Sequence, residues 1–505
     1  MAIISVDAGT SMIKAVAYHR DGTELAVARR QTTVLHPEPG WAEQDMHEVW
    51  AAVAETVRAA AQRAGQQVEA LTITGQGDGC WLVDEDLQPT GNAILWNDAR
   101  AAGIVDRWAA AGYEPASFAI SGTRTFAGLP HAIMAWLREH DPARLERSRT
   151  SLSCNGWVYA CLTGTAAMDE SDAAAPFLDI RLRAYSQPQL DQLGIAWMGA
   201  FLPPLISDGS RVGQLSPEAA QALGLAAGIP VVMAPYDIVA TAIGAGTVTA
   251  GSACTILGTT LCTQSVTPVH APDGDGDGAG ATIPIGPPGQ YLRAFPTLAG
   301  TEVLAWAAGL LGLDGPAAVC ALAAGAPAGA GGLVCLPYLS PAGERAPFLD
   351  QQARGMLLGL SFDSTPAHVA RAVVEGLSFV IRDCLEASGT APSELRICGG
   401  GANSAAWAQI LADVTGVPII RSADSEVGAK GAFIAAMAAL GAVPDLEAGA
   451  KLYSRERDVF SPGPSSAAYS EHFSAFLALR STARGAWPQL EQLRGAHSGG
   501  AVHAA

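Results

Sequence analysis

The sequence predicts an α/β protein built from two related halves, and three observations carry that expectation. The chain opens with a three-stranded pattern, Ile3 to Val6, Ile13 to Tyr18 and Glu24 to Arg30, followed by a helix and a further strand at Leu71 to Thr74. The same theme restarts roughly 250 residues later: Cys254 to Leu257, a Gly258-Thr259-Thr260 turn, Leu261 to Gln264, Tyr291 to Phe295, and a helix over Thr301 to Leu311. The chain has 505 residues, more than one hydrophobic core usually holds.

Each element has a local reason. Asp21-Gly22 marks the turn between the second and third strands. Asp45, followed three residues later by Glu48, is a helix start of the capping-box kind. Val49, Val53, Val57 and Ala60 then recur at helical spacing until Gly65. The middle third, about 99–232, is mixed, with helices expected over Pro130 to His140 and Trp157 to Leu162. Ser216-Pro217 begins another helix, with Glu218 in its first turn. Val231 to Met233 is a short buried strand, and Asp237 lies just past it. In the second half a long helix spans Pro366 to Ser388. A strand at Leu395 to Cys398 leads through the glycine run Gly399 to Ser404 into a helix from Ala405. The alternating Asp/Gly stretch from Asp273 to Gly280 lacks the spaced ligands and final Glu of a calcium loop and reads as a surface loop.

Composition narrows the function. A net charge of −18 argues against a binder of the nucleic-acid backbone, which needs a basic footprint. With 49% hydrophobic and 15% charged residues, the chain is not disordered as a whole. The nine cysteines form no C-x-x-C pair and no metal-ligand spacing, which fits small buried side chains in a reducing compartment. No basic stretch and long apolar run open the chain. The uncharged run from Gly315 to Gly343 is broken by Pro316, Pro327 and Pro337, a poor spanning helix. A cytoplasmic protein off the membrane is expected.

The stretch that carries chemistry is DAGTSMIK, Asp7 to Lys14. An acid at a strand end, a glycine, two hydroxyls and a second strand describe a hairpin whose tip can hold an anion. Gly9 allows close approach, the amides and hydroxyls of Thr10 and Ser11 face the anion, and Lys14 adds charge. Asp7 would stand beside the anion, where a divalent metal makes the pairing tolerable. The plain alternative is a polar turn without a ligand. The glycine run at 399–404, after a strand and before a helix, likewise permits close approach of a ring or phosphate, although it fits G-x-G-x-x-G poorly.

Several segments together resemble the FGGY carbohydrate kinases, within the actin, hexokinase and Hsp70 fold superfamily. They are DAGTSMIKA, GWAEQD (Gly40 to Asp45), TGQGDG (Thr74 to Gly79), ILWNDAR (Ile94 to Arg100), DESDAA (Asp169 to Ala174), ILGTT (Ile256 to Thr260), PYLSPAGERAPF (Pro337 to Phe348) and GGGANS, in family order. The resemblance implies two ribonuclease-H-like α/β domains flanking a catalytic cleft. Residues 1–247 would form the substrate side and carry the catalytic acid, 248–490 the nucleotide side, and 491–505 a flexible tail. It implies transfer of the γ-phosphoryl group of ATP, with Mg2+, to a hydroxyl of a small sugar or polyol.

Roles carry over residue by residue. Asp237 matches the catalytic base and would also touch the substrate. Asp7 matches the metal-side aspartate. Thr10, Ser11 and Lys14 match the first phosphate loop, and Gly258, Thr259 and Thr260 the second. Gly400, Gly401 and Asn403 match the adenosine-binding stretch, and Gly300 is expected to approach the nucleotide. Gln76, Gly77 and Asp78 align with the substrate-reading segment, where D-xylulose kinases carry Met-His and glycerol kinases Arg-Glu at the last two positions. Here the glycine opens space, and the Asp78 carboxylate suits an uncharged polyhydroxylated substrate. Trp81 is expected to stack on its carbon chain. The motifs are similar to the erythritol kinase branch and, second, to the L-xylulose kinase branch. One departure is Asn155-Gly156, where many members carry Lys-Asp. Asp98 and Arg100 read either as cleft residues or as a structural ion pair, and Glu344 and Arg345 as a hinge or fold junction. A homodimer is left open. The rival reading is a catalytically silent sugar- and nucleotide-binding regulator of the same fold; a chaperone-like ATPase lacks its peptide-binding domain here.

Overall fold

The structure is a computed structural model and describes residues 1–206, 211–268 and 279–498. The elements that position the site are, in chain order, β1 (Ala2–Ala8), β2 (Met12–His19), β3 (Glu24–Gln31), α1 (Met46–Ala64), β4 (Val68–Gly75), α2 (Cys154–Thr163), β5 (Val212–Gln214), β6 (Pro230–Met233) and α3 (Asp237–Ala245). They continue with β7 (Ala253–Leu257), β8 (Leu261–Thr267), β9 (Ala281–Pro284), β10 (Tyr291–Pro296), α4 (Thr301–Leu311), α5 (Pro366–Ala387), β11 (Leu395–Cys398), α6 (Ala405–Thr415), β12 (Ile419–Ser422), α7 (Val427–Ala439) and β13 (Glu456–Phe460).

Two mixed sheets result, ordered β5-β6-β4-β1-β2-β3 and β9-β10-β8-β7-β11-β12-β13. In the first, β1 and β2 pair antiparallel, as do β2 and β3, while β4 runs parallel to β1 and β6 to β4. In the second, β7, β8 and β10 form the antiparallel meander, and β11 and β12 continue parallel from β7. The repeat in the sequence is therefore a repeat of topology: β13 lies antiparallel on β12 as β5 lies on β6, and β9 alone is added at an edge.

Period two in the strands sorts their side chains between two cores. Ile4, Val6 and Ala8 face α1 and the core of the first half. Ile3, Val16 and Tyr18 face the other way, into an apolar cluster shared with Cys254 and Ile256 of the second sheet. Two helices fill that shared cluster. Val239, Ala242 and Ile243 come from α3, and Val427, Ala429, Phe433 and Ile434 from α7. Each helix crosses to the other half: α7 lies on β1 and β4, and α3 reaches β7 and β11. Their crossing is very close. A Cβ on Gly431 would lie 1.7 Å from the Ala240 carbonyl oxygen, and one on Gly244 would lie 1.9 Å from that of Val427. Only glycine at both positions allows it.

Helix ends follow the local signals. Asp45 caps α1, accepting from the amides of His47 and Glu48, and Gly65 ends it with φ +61°. The expected capping box is half formed, because the Glu48 carboxylate accepts from Thr33 Oγ1 instead. A complete box heads α5, where Thr365 and His368 bond reciprocally. Among the described residues no single helix is long and apolar enough to cross a membrane. The apolar pair Thr301–Leu311 and Pro316–Ala323 bends by 80° and packs into the core of the second half. The C-terminal helix Trp487–Ser498 overruns the expected start of a loose tail. The Asp/Gly stretch lies outside the described residues up to 278.

Candidate active site

The first hairpin places charge by register. Asp7 on β1 pairs with Lys14 on β2, which pairs with Arg29 on β3, so the three side chains share one face of the sheet. Glu426, just before α7, closes the row. It binds Lys14 Nζ at 2.9 Å and Arg29 at 2.6 Å, while Lys14 Nζ stands 3.8 Å from Asp7 Oδ2. Burial raises the pKa of Asp7; Lys14 opposes the rise and Glu426 adds to it. At the tip, the amides of Gly9, Thr10 and Ser11 have no partner among the described residues.

Asp237 is the first residue of α3, where the helix N-terminus favours a carboxylate. The backbone ahead of it is held on three sides. Asn155 Nδ2 donates to the Ala234 carbonyl at 3.2 Å, Thr74 Oγ1 to that of Pro235 at 2.7 Å, and the Tyr236 amide to Ser171 Oγ at 3.0 Å. Burial pushes Asp237 up to about 8, the negative charge of Asp7 adds to this, and the Ile238 amide opposes it. A Cβ on Gly428 would lie 3.2 Å from Asp7 Oδ2 and 3.5 Å from Thr241 Oγ1. Asp7, the second turn of α3 and the start of α7 therefore meet at one point.

Asp78 adopts φ +56°, unusual for a non-glycine residue and typical of functional loops. Burial pushes it up to about 7 against the opposing charge of Arg345, which belongs to the second half of the chain. The guanidinium of Arg345 stands 5.8 Å over the Trp96 ring. Trp96 Nε1 in turn donates to Thr10 Oγ1 at 3.0 Å. Trp96, Phe126, Leu298 and Arg345 line a cavity of about 360 Å3 drawn from both halves of the chain. A larger cavity, about 410 Å3, lies between Asp169, Pro287 and Leu446; neither Asp78 nor Asp237 lines it.

The second hairpin tip repeats the first. The amides of Gly258, Thr259 and Thr260 are also without partners among the described residues. Cys262, two residues beyond, pairs with Pro296 of β10, whose carbonyl accepts from Arg345 Nε at 2.9 Å, which brings this strand beside Arg345. Gly400 has open space at its Cα, at the start of the turn Gly400–Asn403.

Residues 2–244 match the N-terminal domain of the FGGY family of carbohydrate kinases, and residues 246–440 match its C-terminal domain. The chain belongs to the FGGY family of carbohydrate kinases, ATP-dependent phosphotransferases. This kinase is 35% identical over 463 residues to the erythritol kinase of Brucella abortus (strain 2308), covering 88% of each chain. It is 32% identical over 450 residues to the L-xylulose/3-keto-L-gulonate kinase of Escherichia coli (strain K12), covering 87% of this chain and 88% of the relative. In fold it matches a ligand-bound xylulose kinase from Lactobacillus acidophilus with a TM-score of 0.90, covering 97% of this kinase and 99% of that chain at 24% identity.

Several residues expected in the site turn out to do other work in the kinase. Trp81 is 0% exposed and packs in the core of the first half, so it offers no platform to a ligand. Its three-residue strand, Trp81–Val83, is buried on both faces, so alternation gave no clue. Gln76 is 3% exposed and both ends of its amide are engaged: Oε1 accepts from Thr10 Oγ1 at 2.7 Å, and Nε2 donates to Gln44 Oε1 at 2.7 Å. It braces the first loop. Lys14 faces Glu426 and Asp7, because a residue within the strand projects from its face and not from the tip. The space beside Gly300 is filled by the second loop: a Cβ there would lie 2.6 Å from the Thr260 carbonyl carbon. Gly401 packs under Trp407, whereas Asn403 stays exposed, with Nδ2 donating to the Gly400 carbonyl at 3.3 Å. Nor is the space beside Gly77 open, since the Tyr236 ring occupies it.

Of the open readings, Asp98 and Arg100 form a structural cluster. Arg100 binds Asp98 at 2.9 Å and Glu43 at 2.7 Å, and it covers the Trp41 ring. Asn155 and Gly156 lie buried at the start of α2; the role of Asn155 is to hold Ala234. Glu344 accepts from the amides of Leu298, Arg345 and Ala346, fixing the loop that carries Arg345. Arg345, Glu426 and Tyr236 are the site residues that the sequence reading missed. The position of Tyr236, directly before Asp237, was the available signal for one of them.

Proposed function

We propose that this kinase phosphorylates a hydroxyl of a small acyclic polyol or ketose, with Asp237 as the proton acceptor. The observation that carries the reading is the placement of Asp237. A carboxylate at a helix N-terminus, with its preceding backbone clamped, lies within the fields of Asp7 and Asp78 while two hairpin tips present unpartnered amides. The tips would take phosphate oxygens, the first through Gly9, Thr10 and Ser11, the second through Gly258, Thr259 and Thr260. Gly400 and Asn403 would border the adenosine. The acceptor would sit against Asp78, whose carboxylate can receive hydrogen bonds from neighbouring hydroxyls.

Asp7 suits Mg2+ on its chemistry. Its buried carboxylate shares Lys14 with Glu426, which holds the ammonium more closely, at 2.9 Å against 3.8 Å. Among the described residues no group of three His, Cys, Asp or Glu side chains could form an all-protein cage. One carboxylate completed by phosphate oxygens and water is how such sites hold the ion, and its contribution there would be to neutralise the phosphates. The acceptor hydroxyl gives its proton to Asp237 as its oxygen bonds to the γ-phosphorus, and the bond from that phosphorus to the β–γ bridging oxygen breaks to release ADP. A pKa near the working pH suits a base of this kind, worth roughly 10²–10⁴ in rate. The nine free cysteines fit a reducing compartment.

Coupled ADP release over a panel of erythritol, ribitol, xylitol, glycerol, ribulose and both xyluloses tests the proposal. Turnover with at least one polyol or ketose is expected. Binding without ADP release from any of them would instead support the silent regulator.

A further inference from the structure

Gly77 and Tyr236 compete for one volume. A Cβ on Gly77 would lie 2.3 Å from Cδ2 and 2.5 Å from Cε2 of Tyr236, distances that real contacts essentially never show. The ring is therefore seated directly on the Gly77 backbone, between Gln76, which braces the first loop, and Asp78. No side chain at 77 can coexist with it. The ring is also fixed at its root. The Tyr236 amide donates to Ser171 Oγ, and the carbonyls of Ala234 and Pro235 are held by Asn155 and Thr74.

Its far end is not committed. Tyr236 is 7% exposed, and its hydroxyl makes no hydrogen bond among the described residues and is not among the polar atoms sealed from solvent without a partner. Burial first, and then the charges of Asp78, next along the chain from Gly77, and Asp237, next along from Tyr236 itself, keep the phenol neutral. A neutral phenol is a suitable donor beside such groups, because it adds no charge and can bond a substrate hydroxyl.

We propose that Tyr236 is the specificity-determining residue of the acceptor site: its ring, seated on Gly77, takes up space beside Asp78 and Asp237 so that shorter acceptors are favoured over longer ones, and its hydroxyl bonds a substrate hydroxyl. This rests on the kinase reading above. It makes the choice of residue at 77 and at 236 a single steric decision. One extra carbon unit in a shaped pocket is worth roughly 10- to 200-fold in specificity.

The test compares kcat/KM for erythritol, xylitol and L-xylulose in the wild type, Tyr236→Phe and Tyr236→Gly. Tyr236→Gly should move the five-carbon to four-carbon ratio by at least about 10-fold toward five carbons. Tyr236→Phe should keep the ratio while raising KM for every acceptor and leaving KM for ATP in place. Gly77→Met should lower the melting temperature, and Gly77→Met/Tyr236→Gly should recover it. An unchanged chain-length ratio in Tyr236→Gly overturns the proposal. So does a Gly77→Met variant with wild-type stability and ratio. Should Tyr236→Gly not fold, the double variant carries the same ratio test. If the wild type turned over none of the wider panel of polyols and ketoses, the substrate reading would fail, yet melting-temperature shifts with erythritol against xylitol would still read the length preference.

Discussion

Gly431→Ala should damage stability and turnover together, from a site that touches no ligand. The added methyl would sit 1.7 Å from the Ala240 carbonyl oxygen and 2.8 Å from the Gly244 amide nitrogen. A carbon and a carbonyl oxygen normally rest at about 3.3 Å or more, so α3 and α7 must separate by roughly 1.5 Å. Overpacking of this kind costs about 1–3 kcal/mol. At roughly 2–4 °C per kcal/mol for a domain of this size, the melting temperature should fall by about 2–12 °C. Ala240 is one turn from Asp237, so the displacement reaches the candidate base, and a misplacement of about 1 Å can cost 10²-fold in rate. Calorimetry and steady-state ADP release on one preparation read both effects. Gly309→Ala is the control. It lies within α4 with nothing inside 4 Å of the new methyl, and it should stabilise by about 0.5–1 kcal/mol with kcat unchanged. If Gly431→Ala behaves like the control, the close crossing of the two helices is wrong.

Other outcomes follow from the same geometry. Asp78→Ala should raise KM for the acceptor far more than KM for ATP; an unchanged acceptor KM removes Asp78 from the site. Because Asp237 is pushed up to about 8 and must be ionised to accept a proton, kcat/KM should rise with pH up to about 8 and level off above it, most steeply below about 7, where Asp78 is protonated as well. A flat profile from pH 6 to 8 would contradict the assignment. Stability should run the other way. Folded Asp78 and Asp237 bind protons more tightly than the unfolded chain, so the unliganded protein should lose stability as pH rises from about 4 through about 8. A denaturation midpoint that does not fall over that range would argue that these carboxylates are solvated.

Much of this was legible in the sequence because it was written locally. Alternating apolar residues around a glycine and two hydroxyls specify a hairpin, and writing the pattern twice specifies two sheets of one topology. Asp45, Ser216, Thr365 and Ser404 cap helices by side chains that act within three residues. What escaped depends on partners far along the chain. Lys14 belongs to the first hairpin in sequence, yet its ammonium is held by Glu426, and no local pattern encodes that pairing. Gly77 looks like vacant space until the ring of residue 236 is placed on it. The exchange of α3 and α7 between the halves is likewise invisible, since an apolar helix rich in alanine and glycine fits several surfaces equally well. Trp81 escapes for the opposite reason: its neighbour in sequence is the loop that carries Asp78, but a strand buried on both faces turns it into the core.

Asp237→Asn keeps the shape of the side chain and removes only its ability to take a proton. Single-turnover ADP formation with saturating acceptor, measured beside nucleotide affinity in the same variant, asks whether that carboxylate faces the reacting alcohol. A loss of about 10²-fold or more in the chemical step is expected, with ATP binding nearly intact. Wild-type turnover in Asp237→Asn would contradict it.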